Sequence, residues 1–332
     1  MSQLSIPERV EAALIIATEH GRVASIESML RTELARGSIV RLRRGVYAHT
    51  ALWQQLSPTE RYQAFVIGVA RGAPQRPVLS HSSAAALLGL PRVEPWPGVV
   101  HELVERGGGG HSRPGRQQHS LGLNAEDIIS RDGLLLTTLE RTLVDLAASS
   151  STFSAVAAID AALRMGRRFG APAMTTKGAL LDVWERMLPF RGSIRAKELL
   201  EFGDGLSGSV NESNSRVTMA RLGLPAPELQ RVWLIDGVEY DTDFYFPSVD
   251  AIGEADGRGK YVDPMMLAGR TPAEAVYDEK IREDALRRRA RAFTRWDYAI
   301  GMSLPRLGAR LAEIGVLPER APRLRRAPRT AL

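Results

Sequence analysis

The sequence predicts a mixed α/β, multidomain protein, and three observations lead there. The chain has 332 residues, 44% of them apolar, enough to fill more than one core at roughly 150 residues per domain. The hydrophobic spacing changes along it. Residues 1–50 read as helices and a basic hairpin, 51–200 as helices with a β insertion, and 205–300 as acidic, alternating strands flanked by helices. Charge divides too: residues 201–265 hold twelve Asp or Glu against five Lys or Arg, and residues 280–332 hold fourteen Lys or Arg against five Asp or Glu.

In the first region, PERVEAALIIATEH places Val10, Ala13, Leu14 and Ile15 at helical spacing behind Pro7, and Gly21 ends the helix. A second helix, SIESMLRTELARG, has Ser25 as its cap and stops at Gly37. SIVRLRRGVYAH then alternates apolar and basic residues and turns at Gly45. Helix, helix, basic hairpin is the layout of a winged helix-turn-helix, in which Arg41, Arg43 and Arg44 of the wing would sit on DNA phosphates. A helical docking module with an incidental basic hairpin is the competing reading.

The middle region holds VLSHSSAAALLGLP, a short Ala/Leu helix capped by Ser80 or Ser82, then the strand-like VVHELV. The loop RGGGGHSRPGRQQH has neither the Gly-Lys-Ser/Thr nor the following helix of a phosphate loop, so it reads as a hairpin tip. LTTLERTLVDLAA is an amphipathic helix starting at Thr138. The six histidines all fall within the first 120 residues without His-x-x-x-His spacing, so no zinc site is expected.

From residue 210 the expected order is α, β, β, β, α, β. Helix NESNSRVTMARLG, with Asn211 as its cap, leads to the strand RVWLI and the turn Asp236-Gly237, a strong hairpin signal. VEYDTDFYF carries Asp241 and Asp243 on one parity, and VDAIGEADG carries Glu254 and Asp256. A helix over 273–290 and the strand AFTRW close the series, with Trp296 a core residue. This is the core layout of restriction-endonuclease-like nucleases, whose acids from adjacent strands give oxygen ligands to a hard divalent cation. That cation would be Mg2+ or Mn2+. Arg287, Arg288, Arg289 and Arg291 would line a DNA channel, or else form a solvated helix end. Pairing of Glu254 and Asp256 with Arg282 or Arg258 is the competing reading of the acids. Residues 301–332 read as a basic, disordered tail, Pro- and Arg-rich from 318.

Two resemblances accompany these patterns. RRGVYA, LSHSSAAALLGLP and TTLERTLVDLAA together resemble the AbiEi family of antitoxin-like proteins, which implies a winged helix on operator DNA and a following domain that supports regulation. NESNSRV, GLPAPELQ, YDTDFYFP, GEADGRGKY and EKIREDALRRRARAFTRW resemble the very-short-patch-repair-like endonucleases. That resemblance implies Asp243 as central metal ligand, Glu254 as its partner, Asp256 as a further ligand or a holder of the water, and Glu212 as an outer acid reaching in from the helix. The wider superfamily places Lys where this chain has Asp256, so Lys260 or Lys280 would have to take its role.

Absence of cysteine excludes disulfides and thiolate metal sites and points to a reducing cytoplasm, while no window reaches a membrane span and no leader is legible. The function expected is a DNA-binding, metal-dependent endonuclease. The alternatives are an antitoxin-like transcriptional regulator on a silent nuclease fold, and a module that docks a cognate toxin protein.

Overall fold

The computed structural model describes residues 7–20, 24–105, 114–165, 172–256, 271–319 and 324. The fold is mixed α/β, with three sheets and, among the described residues, thirteen helices. It divides into two compact units, residues 1–150 with 178–197, and residues 151–177 with 198–332.

The first unit opens with α1 (Glu8–Ala13) and β1 (Leu14–Ile16), so the helix expected as far as His20 ends at Ala13. The reason lies in the apolar, partly β-branched Leu-Ile-Ile run, which is better placed in a ladder: Leu14 pairs with Ala48 and Ile16 with Val46, and Ile16, Val46 and Ala48 are buried. After α2 (Ala24–Arg36), β2 (Ile39–Arg43) and β3 (Val46–His49) form the basic hairpin, turning through Gly45 at φ +81°. The small sheet has the order β1-β3-β2. Arg41 and Arg44 are exposed; Arg43 is half-buried near Gly115.

Next come α3 (Thr50–Gln55) and α4 (Pro58–Arg71), the latter begun by a capping box in which Ser57 and Glu60 satisfy each other's backbone N–H. A Cβ on Gly68 would collide with Val46 Cγ1, so glycine is what lets α4 lie against β3. A five-stranded sheet of order β6-β5-β4-β8-β7 follows, from β4 (Val78–Leu79), β5 (Val100–Leu103), β6 (Arg116–His119), β7 (Ile128–Arg131) and β8 (Leu134–Thr137). It carries α5 (His81–Leu87) and α6 (Leu139–Ser149), and Thr138 caps α6 by accepting from Arg141 N at 3.3 Å. The glycine loop lies largely in 106–113, outside the described residues. α7 (Thr152–Leu163) belongs to the second unit; α8 (Lys177–Met187) and the start of α9 (Ser193–Phe202) belong to the first, apart from Lys177.

The first unit encloses a polar core. Arg141, 2% exposed, donates from Nε to Asp145 Oδ1 at 3.2 Å and from Nη1 to Asp127 Oδ2 at 3.0 Å, and Arg186 also donates to Asp127. His81, held at φ +49°, stacks on His119 with ring centroids 3.7 Å apart, and His101 Nδ1 lies 2.9 Å from His119 Nε2. Sequence spacing hid this cluster, because its members come from α5, β5 and β6. Burial, reinforced by neighbouring imidazoles, drives His81 well below its ordinary value and His101 down to about 3; burial alone takes His119 to about 4. In unfolded chain a histidine titrates near 6.5, so the unfolded state binds more protons below that pH. The stability tied to these rings is therefore present above about pH 6.5 and is lost as pH falls toward their folded values. Asp145 works in the opposite sense, burial raising it to about 6 against the pull of Arg141. Imidazole NMR resolves the two: the Cε1–H resonances of His81, His101 and His119 are expected to stay fixed from about pH 8 to 5. Titration of any of them near 6.5 would contradict the buried, neutral cluster.

In the second unit, α10 (Val210–Leu222) is capped by Ser209, whose Oγ accepts from Glu212 N, two residues earlier than the Asn211 cap expected. Asn211 instead donates to Asp256 O at 3.1 Å. β9 (Glu228–Ile235) and β10 (Val238–Phe246) join through Asp236 and Gly237, both at positive φ as the sequence led one to expect. β11 (Ala251–Ala255) pairs antiparallel with β10 and parallel with β12 (Ala292–Trp296), with α11 (Pro272–Arg289) between them in sequence, so the sheet order is β12-β11-β10-β9.

Two apolar clusters hold this sheet: Phe244, Phe246, Trp296 and Met219 in one, and Trp233, Tyr245, Ile252 and Leu286 in the other. Trp296 is core as expected, 2% exposed and donating to Ser215 Oγ at 2.8 Å. A Cβ on Gly253 would stand 2.6 Å from its ring. α12 (Tyr298–Gly301) and α13 (Leu304–Ala312) follow. They correct the expectation of a disordered tail from 301, because Leu307 and Leu311 are fully buried in the Trp296 cluster. Residues 320–332, except 324, lie outside the described residues.

Candidate metal and nucleic-acid site

Four elements of the second unit bring acids together. Asp243 is near the middle of β10, and its Oδ2 accepts from Ala255 N of β11 at 2.8 Å. Glu212 enters from the first turn of α10, 7% exposed, with Oε2 accepting from Gly208 N at 2.7 Å. Gln230 of β9 joins the two: its Nε2 donates to Glu212 Oε2 at 2.9 Å and to Asp243 Oδ1 at 3.3 Å. Burial, with the Asp243 charge beside it, pushes Glu212 up to about 7. Glu212, expected as an outer acid, is joined to Asp243 through the Gln230 amide.

Glu254 and Asp256 are engaged by arginines. Glu254, 1% exposed on β11, accepts from Arg282 Nη2 of α11 at 3.0 and 3.1 Å, the ion pair weighed as the competing reading. Arg282 also donates to Asp241 O and pairs with Glu279. Burial works against its charge, but Glu254, Glu279 and Asp243 overcome this and raise its pKa. Asp256, beyond the end of β11, is held by Arg295 of β12, with Nε donating at 2.9 and 3.1 Å; Arg295 extends the network to Glu279 and Glu283. Among the described residues no group of three or more His, Asp or Glu is arranged to hold a metal ion. Lys260 and Arg258 lie outside the described residues, and Lys280 is exposed on α11.

The arginines at the end of α11 are exposed. Arg287 lies over Phe293 at 4.4 Å and pairs with Glu283, Arg289 lies over Trp233 at 5.2 Å, and Arg288 and Arg291 are also at the surface. No described helix is long and apolar enough to cross a membrane.

No family model matches the chain. It is 32% identical over 141 residues to two uncharacterized proteins of Mycobacterium tuberculosis, Rv2248 of strain H37Rv and MT2308 of strain CDC 1551. The match takes in 42% of this chain and 49% of each relative, so the chain spans about half the length of the curated relatives it matches.

Two residues of the site escaped the sequence reading. Gln230 stands at φ +51° inside a strand, a backbone state that composition does not reveal. Arg295 was read only as part of a strand. Its alternation with Trp296 was a usable signal, since a basic residue next to a buried one on β12 must face the opposite side, toward the acids of β11.

Proposed function

We propose that the second unit is a divalent-metal-dependent DNA endonuclease domain of the restriction-endonuclease-like kind. In the same reading the basic hairpin of the first unit serves as the wing of a winged helix-turn-helix, with Arg41, Arg43 and Arg44 on phosphates. The observation that carries the proposal is the Glu212–Asp243 pair, two carboxylates within hydrogen-bonding reach of one amide nitrogen. The order α, β, β, β, α, β around it supports the same reading.

Mg2+ keeps several waters and is commonly held by one or two carboxylates plus substrate phosphates. A two-carboxylate site suits that chemistry, or that of Mn2+, without a third acid. Asp243 and Glu212 would hold the ion, which when bound polarises the scissile phosphate and lowers the pKa of an attacking water. The chain's own groups supply position: Ala255 N fixes Asp243, Gly208 N fixes Glu212, and Arg287, Arg288, Arg289 and Arg291 offer charge to the DNA backbone.

Thermal melting with and without Mn2+ tests the site. Wild type is expected to gain about 5–10 °C at a hundredfold excess over Kd. Asp243→Asn and Glu212→Gln should each lose most of that gain. An equal gain in both variants would remove the two residues from any metal site.

A second reading, an antitoxin-like regulator on a silent nuclease fold with a cognate toxin as partner, is favoured by one observation. Arg282 and Arg295 already neutralise Glu254 and Asp256, the two acids of the Glu-x-Asp-Gly segment.

A further inference from the structure

We infer that Gln230 is an exchangeable third ligand of the Glu212–Asp243 site: its amide nitrogen clasps the two carboxylates in the geometry seen here, and on cation binding the amide turns over to offer its oxygen. The inference rests on the metal-site reading above. Nε2 stands 2.9 Å from Glu212 Oε2 and 3.3 Å from Asp243 Oδ1, so each of its two hydrogens serves one carboxylate. A cation held by those carboxylates would meet the hydrogens of this NH2 group, which are aimed at the same oxygens. Half a turn about the terminal bond exchanges nitrogen for oxygen at almost no change in shape. It presents a neutral amide oxygen, a ligand that hard cations accept.

Backbone geometry supports a dedicated role. Gln230 sits at φ +51° in the interior of β9, in the left-handed region that side chains other than glycine, asparagine or aspartate seldom occupy. Such conformations persist where the surroundings hold them, and they gather at functional sites. Asn or Gly would adopt this backbone more readily. Neither has the reach to touch an acid on α10 and an acid on β10 together. Gly208 N and Ala255 N hold the outer sides of the same two carboxylates, so the pair is ordered from β9, from β11 and from the segment before α10.

Calorimetric titration of Mn2+ into the full chain, as wild type, Gln230→Met and Gln230→Glu, tests the inference. Removal of the oxygen in Gln230→Met should weaken binding at least tenfold. Gln230→Glu keeps an oxygen at the same reach and should bind at least as tightly as wild type. A residue that only clasps predicts wild-type or tighter binding in Gln230→Met, since the hydrogens that oppose the cation are gone. That result, or weaker binding in Gln230→Glu, would overturn the inference while leaving the metal site standing. No Mn2+ uptake by wild type would instead remove the metal site and the inference with it. Should Gln230→Met fail to fold, the Gln230 side-chain NH2 resonances of wild type decide: they are expected to move on adding Mg2+, and stationary resonances in a protein that binds Mg2+ would refute the turn-over.

Discussion

Arg141→Met is expected to lower the stability of the first unit by about 3–5 kcal/mol. Arg141 is 2% exposed, and it gives Nε to Asp145 and Nη1 to Asp127, both of them also buried. Methionine keeps much of the length and removes the charge, so the cost comes from carboxylates left without their counter-charge rather than from lost volume. Asp127 retains Arg186. Asp145 keeps His81, whose Nδ1 is 3.8 Å away, but burial holds that ring neutral. Asp145 already titrates at about 6 in the folded protein, and without Arg141 its value must rise further. A carboxylate raised above its unfolded value stabilises the fold when protonated and loses that contribution as pH rises. The deficit of the variant should therefore shrink as pH is lowered toward about 6. Urea unfolding at several pH values measures both points, and a loss below about 1 kcal/mol at neutral pH would show that the cluster carries little of the fold.

Arg282→Met should cost the second unit a comparable amount, about 3–5 kcal/mol, because it takes the guanidinium away from the buried Glu254. Glu254 is 1% exposed and faces Arg282 Nη2 through both carboxylate oxygens, while Arg282 also ties α11 to the Asp241 carbonyl of β10. The double variant Glu254→Gln with Arg282→Met should recover a large part of the loss, since the amide needs no counter-charge. A double-mutant cycle reads this as a coupling of about 0.5–3 kcal/mol. Additive losses would mean that Arg282 acts by packing alone. If a divalent cation reaches Glu254, Mn2+ should restore part of the stability of Arg282→Met and none of that of the double variant.

Local patterns carried much of the second unit. The Asp236-Gly237 pair marked the hairpin because a two-residue turn that matches strand twist needs positive φ at both positions, which is what these residues adopt. Acid alternation in YDTDFYF and GEADG located β10 and β11, since period two is a property of the strand itself. Leu14–Ile16 misled because helical spacing continues through it, and only the partner β3, thirty residues later, shows where its apolar atoms are buried. α13 was missed for a similar reason: a short apolar stripe among arginines reads as tail until Trp296 and Phe244 supply a surface for Leu307 and Leu311.

The site itself was half legible. Strand parity grouped Asp241 with Asp243 and Glu254 with Asp256, and the resemblance to the endonuclease family singled out Asp243, Glu254 and Glu212. Their relations could not be read, because they depend on long-range geometry. Glu212 meets Asp243 through Gln230, a residue on a third element in an unusual backbone state. Arg282 reaches Glu254 across 28 positions, and Arg295 reaches Asp256 across 39. Charge counts indicated that acids and arginines were both abundant here, without indicating which would meet.

Cleavage of supercoiled plasmid by the purified full chain with Mg2+ or Mn2+, beside Asp243→Asn and Glu254→Ala, bears most directly on the proposed activity. Metal-dependent nicking by wild type that disappears in Asp243→Asn is the predicted result. Intact plasmid after incubation with folded, metal-loaded wild type, or nicking that survives in Asp243→Asn, would contradict it.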